Sequence, residues 1–104
     1  MRSEFQGGEV DKLAEWRAQI DRIDKTILGL LTERFRITEE VGHYKAERGM
    51  SGFDPAREQA QMEHIELLSE QQGLRPDVAQ GVFGLIRHKV NERHDEIREE
   101  LNPK

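Results

Sequence analysis

Arg34 occupies a position where a hydrocarbon is expected. Leu13, Trp16, Ile20, Ile23, Ile27, Leu30, Ile37, Val41 and Tyr44 recur at spacings of three and four, which marks one apolar stripe on a long helix. Arg34 falls on that stripe between Leu30 and Ile37. Its helical neighbours are Leu30, Leu31, Ile37 and Thr38, none of them acidic. A guanidinium keeps its proton in a protein, and burying it unpaired costs several kcal/mol. Its charge is met either by a carboxylate from a distant part of the fold or by a bound anion. The anion is the expectation.

Other cations extend the pattern. Lys45 follows Arg34 by about three helical turns, so both side chains leave one face. The helical neighbours of Lys45 are Val41, Gly42, Arg48 and Gly49, again without an acid. Arg17 sits about 100° round the helix from Arg34 and serves the same pocket only from another subunit or after a bend. Arg57 falls in the first turn of a second helix, where the exposed backbone N–H groups already favour an anion. Each residue taken alone has a plainer reading. Lys45 near a helix C-terminus offsets the helix dipole, Arg17 has Asp21 four residues on for an ordinary ion pair, and Asp54 is an N-cap. Glu58 is then a solvated first-turn acid, and His94 a packed histidine. The combination and its order carry the functional reading.

The elements that must position these groups are helices. The first is expected from about Asp11 to Arg48, ending at Gly49-Met50-Ser51-Gly52. The second opens at Asp54-Pro55, an N-cap followed by proline at the first helical position, and stops near Gly73. It carries Ala56, Ala60, Met62, Ile65 and Leu68 inward. The third starts at Pro76 and runs to about Leu101, with Val82, Phe83, Ile86, Val90, Ile97 and Leu101 inward. Period-two alternation of β-branched residues is absent, so the fold class is all-α, three helices with one very long. Residues 1–10 read as a loose, flexible tail that includes a possible cloning remnant, ahead of one helical domain over residues 11–104.

Composition narrows the function. Of 104 residues 36% are charged and 35% hydrophobic, which suits long helices with one apolar stripe each. A net charge of −5 argues against a nucleic-acid surface, though not against a local cationic pocket for a small anion. The chain has no cysteine, so disulfides, thiolate chemistry and thiolate-held zinc are excluded. His43, His64 and His88 show no metal-ligand clustering and read as surface residues; no metal site is expected. No stretch approaches the ~18 apolar residues of a membrane span, no signal-peptide core stands at the N-terminus, and a cytoplasmic protein is expected. A first helix on the order of 55 Å outruns a compact globule of this length, with a radius of gyration of ~13 Å. Two shorter helices cannot cover its stripe, and a homodimer sharing the long helices follows.

In this order the residues resemble the all-helical (AroQ-class) chorismate mutases. The matching pattern is Arg17-x-x-Ile20-x-x-Ile23-Asp24, Leu30-Leu31-x-Glu33-Arg34, Val41-Gly42-x-x-Lys45 and Asp54-x-x-Arg57-Glu58, with a weaker match at Val82-Phe83-x-Leu85-Ile86. It covers about residues 12–97. The resemblance implies a monofunctional enzyme built as an intertwined homodimer, whose two sites each take the first arginine, Arg17, from the partner chain. It implies that Arg17, Arg34, Lys45 and Arg57 hold the two carboxylates of chorismate, and that Lys45 also donates toward the ether oxygen of the breaking bond. The Asp54 region and Glu58 would hold the ring hydroxyl. The reaction it implies, chorismate to prephenate, is an intramolecular Claisen rearrangement that needs no cofactor. What remains for the protein is to hold a flexible dianion in its reactive conformer and to place positive groups where charge grows on the ether oxygen.

Two positions depart from the family pattern. Where a glutamine or glutamate commonly gives the second donor to the ether oxygen, this chain has His94. An imidazole N–H can replace that donor, and an imidazolium adds a charge. One turn earlier, where a small hydroxyl residue often contacts a carboxylate, Val90 cannot donate. The competing readings are an isochorismate pyruvate lyase or a mutase of 4-amino-4-deoxychorismate on the same scaffold, and a non-catalytic helical dimerisation module. A mutase that depends on a larger shikimate-pathway enzyme for full activity is a further alternative. Glu58 favours a substrate with a polar group at ring carbon four, which isochorismate lacks; it does not decide between hydroxyl and amine.

Overall fold

Glycines and prolines set the helix ends by local chemistry. The structure is a computed structural model that describes the backbone of residues 4–102 and the side chains from Asp11 onward. Every regular element among the described residues is a helix: α1 (Glu4–Glu47), α2 (Pro55–Gln72) and α3 (Pro76–Leu101). Gly49 takes a left-handed φ of 66°, and there Met50 N–H donates to the Lys45 carbonyl at 2.8 Å and Gly49 N–H to that of Ala46 at 3.2 Å. This paired arrangement satisfies carbonyls that the last turn would leave orphaned. Gly73 repeats it with φ 76°, Leu74 N–H reaching the Ser69 carbonyl at 2.8 Å. The start of α2 is capped by Asp54, whose Oδ1 accepts from the Arg57 N–H at 3.1 Å. The helix starts at Pro55 and Pro76, and the ends near Gly73 and at Leu101, fall where the sequence places them.

The start of α1 does not. The helix runs from Glu4 rather than Asp11, so the stretch expected as a loose tail is helical from Glu4 onward. Residues 1–3 lie outside the described residues.

The chain divides into two units, one up to Phe35 and one from Arg36. In the first unit the apolar stripe of α1 is exposed throughout: Leu13, Trp16 (52%), Ile20, Ile23, Ile27 and Leu30 (60%) all face solvent in the single chain. The second unit holds the buried core, Ala46 from the end of α1, Ile65 from α2, and Ala79, Ile86 and Ile97 from α3. Several residues expected inward are not buried. Ala56, Ala60, Met62 and Leu68 on α2 and Val82 and Leu101 on α3 are exposed, while Phe83 and Val90 are half-buried. The physical reason is that periodicity marks which face is apolar but not whether one chain has enough surface to cover it.

Within the second unit, α1 is tied to α3 by a charge cluster. Arg93 donates to Glu39 at 2.7 and 2.9 Å, to Glu96 at 3.2 Å and to Glu100 at 3.0 Å, and His43 lies 3.3 Å from Glu39. Hydrogen bonding from Arg93, opposed in part by desolvation and helped by the charges of Arg93 and His43, holds the Glu39 carboxyl at about 2, below its ordinary 4.5. Hydrogen bonds to Glu39, Glu100 and Glu96 push the Arg93 guanidinium above its usual value. A depressed carboxyl contributes stability that is present above its unfolded-state value and lost as pH falls through the folded one. Melting wild type and Glu39→Gln from pH 5 to pH 2.5 should therefore show their Tm values converging as the acid end is reached. Parallel curves would mean that the cluster adds nothing to stability.

Candidate functional site

The second unit gathers residues from all three helices. Lys45 lies in the last turn of α1, with its carbonyl fixed by the Met50 N–H. Its side chain is half-buried and forms no hydrogen bond or ion pair among the described residues. Desolvation without a local carboxylate is the setting of a cation that awaits an anion from outside the chain. Arg57, exposed in the first turn of α2, also has no acidic partner among the described residues, and the Asp54 carboxylate beside it serves the backbone cap.

Glu58 is the best-connected of the candidate residues. Its Oε2 accepts from the Asn91 side-chain amide at 3.0 Å, and its Oε1 lies 4.0 Å from Nε of Arg87. The side chains of Glu58 and Arg87 are only 25% and 20% exposed. The reading of Glu58 as a solvated first-turn acid is thereby set aside. Asn91 and Arg87 escaped the sequence reading because nothing local links them to Glu58, which lies across the α2–α3 connection. The available signal was Arg87 itself, a cation directly after the apolar Leu85-Ile86 and one turn before Asn91.

His94 is buried, 6% exposed, on the inward face with Ile97. Its Nε2 lies 2.9 Å from the Thr38 carbonyl, which can only accept, so Nε2 carries the proton. Its Nδ1 is buried with no hydrogen-bond partner among the described residues. A neutral ring therefore presents a lone pair at Nδ1, and only the imidazolium has a second N–H to give. Gly42 makes this approach possible: a Cβ there would sit 2.7 Å from the His94 ring and 2.8 Å from Ile97 Cδ1. Val90, one turn before His94, is half-buried and offers no donor.

Arg17 and Arg34 belong to the first unit. Arg17 is exposed and forms no ion pair among the described residues, so its expected local partner Asp21 does not hold it. Arg34 is half-buried and is engaged rather than free. The second unit thus brings Lys45, Asp54, Arg57, Glu58, Val90 and His94 into one folded body, and adds Arg87 and Asn91.

Comparison with known proteins covers this stretch of the chain. The family profile of chorismate mutase type II matches residues 16–99. A chorismate mutase of Methanocaldococcus jannaschii is 31% identical over 77 residues, covering 74% of this chain and 78% of that protein. The T-protein of Enterobacter agglomerans is 30% identical over 95 residues, 90% of this chain but only 26% of that protein. A bifunctional chorismate mutase/prephenate dehydratase of Aquifex aeolicus is 36% identical over 62 residues, 60% of this chain and 17% of that protein. The chain thus spans about a quarter or less of the two larger relatives. With an all-helical architecture and a match across most of its length, the chain belongs to the type II chorismate mutases.

Proposed function

We infer that the chain is a chorismate mutase, an isomerase that rearranges chorismate to prephenate for aromatic amino acid synthesis. The observation that carries this reading, beside family membership, is the half-buried Lys45 ammonium without an acidic partner among the described residues. A dimerisation module would be expected to pair its inward cations with its own acids, of which the chain has 21.

In this mechanism Arg17, Arg34, Lys45 and Arg57 hold the two carboxylates of the substrate and close it into the conformer in which the new carbon–carbon bond can form. Lys45 also donates to the enolpyruvyl ether oxygen, where negative charge grows as the carbon–oxygen bond breaks. No proton changes hands and no covalent intermediate is needed. Glu58 accepts from the ring hydroxyl. Asp54 acts by fixing the first turn of α2, since its Oδ1 already accepts from the Arg57 N–H.

The proposal includes a homodimer in which Arg17 completes the partner's site. The exposed stripe from Leu13 to Leu30 supports it, since an apolar surface of that extent calls for a second copy. It also includes a cytoplasmic enzyme. Incubating the purified protein with chorismate, and separately with isochorismate, tests the reading. Prephenate from chorismate is the expected product. Salicylate and pyruvate from isochorismate would make it a lyase, and no turnover of either would leave the dimerisation module.

His94 enters as the second donor to the ether oxygen, through Nδ1–H of the imidazolium. Nε2–H remains on the Thr38 carbonyl in this arrangement. His94→Gln should remain active, because one amide NH2 has two hydrogens to donate, one to the Thr38 carbonyl and one to the ether oxygen. His94→Ala should be slow; full activity in that variant would reduce His94 to packing.

A further inference from the structure

Glu58 is held between a neutral donor and a cation, and this bears on what it can accept. The Asn91 amide donates to Oε2 at 3.0 Å, and the Arg87 guanidinium stands 4.0 Å from Oε1. Arg87 lies back along α3 toward Gly84, where a Cβ would sit 3.6 Å from Nη2. Its Nη1 is buried without a hydrogen-bond partner among the described residues. The cation is therefore fixed beside Glu58 rather than swung into solvent, and its charge acts on whatever the carboxylate receives.

We propose that Arg87, with Asn91, makes Glu58 selective for a neutral hydroxyl over an ammonium at ring carbon four of the substrate. This rests on the reading of the chain as a mutase with Glu58 at that ring position. A hydroxyl needs only an acceptor lone pair and carries no charge for Arg87 to oppose. An ammonium needs the negative charge of Glu58, which Arg87 already offsets, and brings a second cation close to the first in a partly desolvated site. Like charges so placed oppose binding strongly. Arg87 thus decides what Glu58 alone leaves open, favouring chorismate over 4-amino-4-deoxychorismate. Arg87 is a positioning and specificity residue in this proposal, not a catalytic one.

The test measures kcat/KM for chorismate and for the 4-amino analogue in wild type, Arg87→Leu, Arg87→Gln and Arg87→Lys, each checked for helical content by circular dichroism. Wild type should prefer chorismate. Arg87→Leu and Arg87→Gln should shift the ratio toward the amino analogue by about tenfold or more, while Arg87→Lys, which keeps the charge, should hold the wild-type ratio. Arg87→Gln retains amide donors beside Glu58 and keeps the test open if Arg87→Leu does not fold. A ratio unchanged in the neutral variants, with chorismate still turned over by wild type, overturns the specificity role and leaves the mutase reading intact. Wild-type preference for the amino analogue overturns it as well. Turnover of neither substrate by wild type removes the mutase reading and this inference with it.

Discussion

Lys45→Met should lower kcat for chorismate by about 10²–10³-fold, the usual loss when one preorganised donor to a developing oxyanion is removed. The Tm of the protein should move little. Methionine keeps an unbranched side chain of similar length and removes only the ammonium. Two opposing terms decide the stability change. Losing a cation in the last turn of α1 gives up about 0.3–1 kcal/mol of favourable interaction with the helix dipole. Losing a half-buried charge with no acidic partner among the described residues recovers a desolvation cost of comparable size. The terms nearly cancel, so activity and stability separate. A Tm loss of many degrees alongside the lost activity would instead make Lys45 a structural residue.

Arg34 does not allow the same clean separation. From the sequence, the lack of an acid one turn away made it the prime candidate for a cation without a partner in the chain. Arg34 is in fact engaged. The spacing rule sees only partners on the same helix.

The same limit runs through the fold and the site. Helix ends at Gly49, Pro55, Gly73 and Pro76 were legible because caps depend on a few contiguous residues whose conformational preferences are strong. The clusters that assemble the second unit were not. Arg93 meets Glu39 and His94 meets Thr38 across more than fifty residues, and Glu58 meets Asn91 across more than thirty. No periodicity encodes those pairings. Gly42 shows a middle case, since the sequence motif named it without a reason. The reason is the His94 ring and Ile97, which leave no room for a Cβ. Solvent exposure of the α1 stripe was legible in kind, because helix length alone exceeded what two short helices could cover.

That exposed stripe leads to the second large effect. If each site takes Arg17 from the partner chain, Arg17→Ala and Lys45→Met should each be nearly inactive as purified homodimers, and mixing them should restore activity. In a heterodimer of the two, one site combines the intact Lys45 of one protomer with the intact Arg17 of the other, while the second site lacks both. Random re-pairing of equal amounts makes about half the dimers mixed, so about a quarter of wild-type sites should return. An Arg17 acting within its own chain predicts no recovery at all, because every site in the mixed dimer would then carry one of the two lesions. Exchange must be demonstrated by mass labelling of one variant, since the paired stripes of Leu13 to Leu30 would make dissociation slow. Recovery of activity in step with the labelled heterodimer would establish the shared site. Complete exchange without recovery would confine Arg17 to its own protomer, where it stands about 100° round the helix from Arg34 and Lys45 would have to work without it.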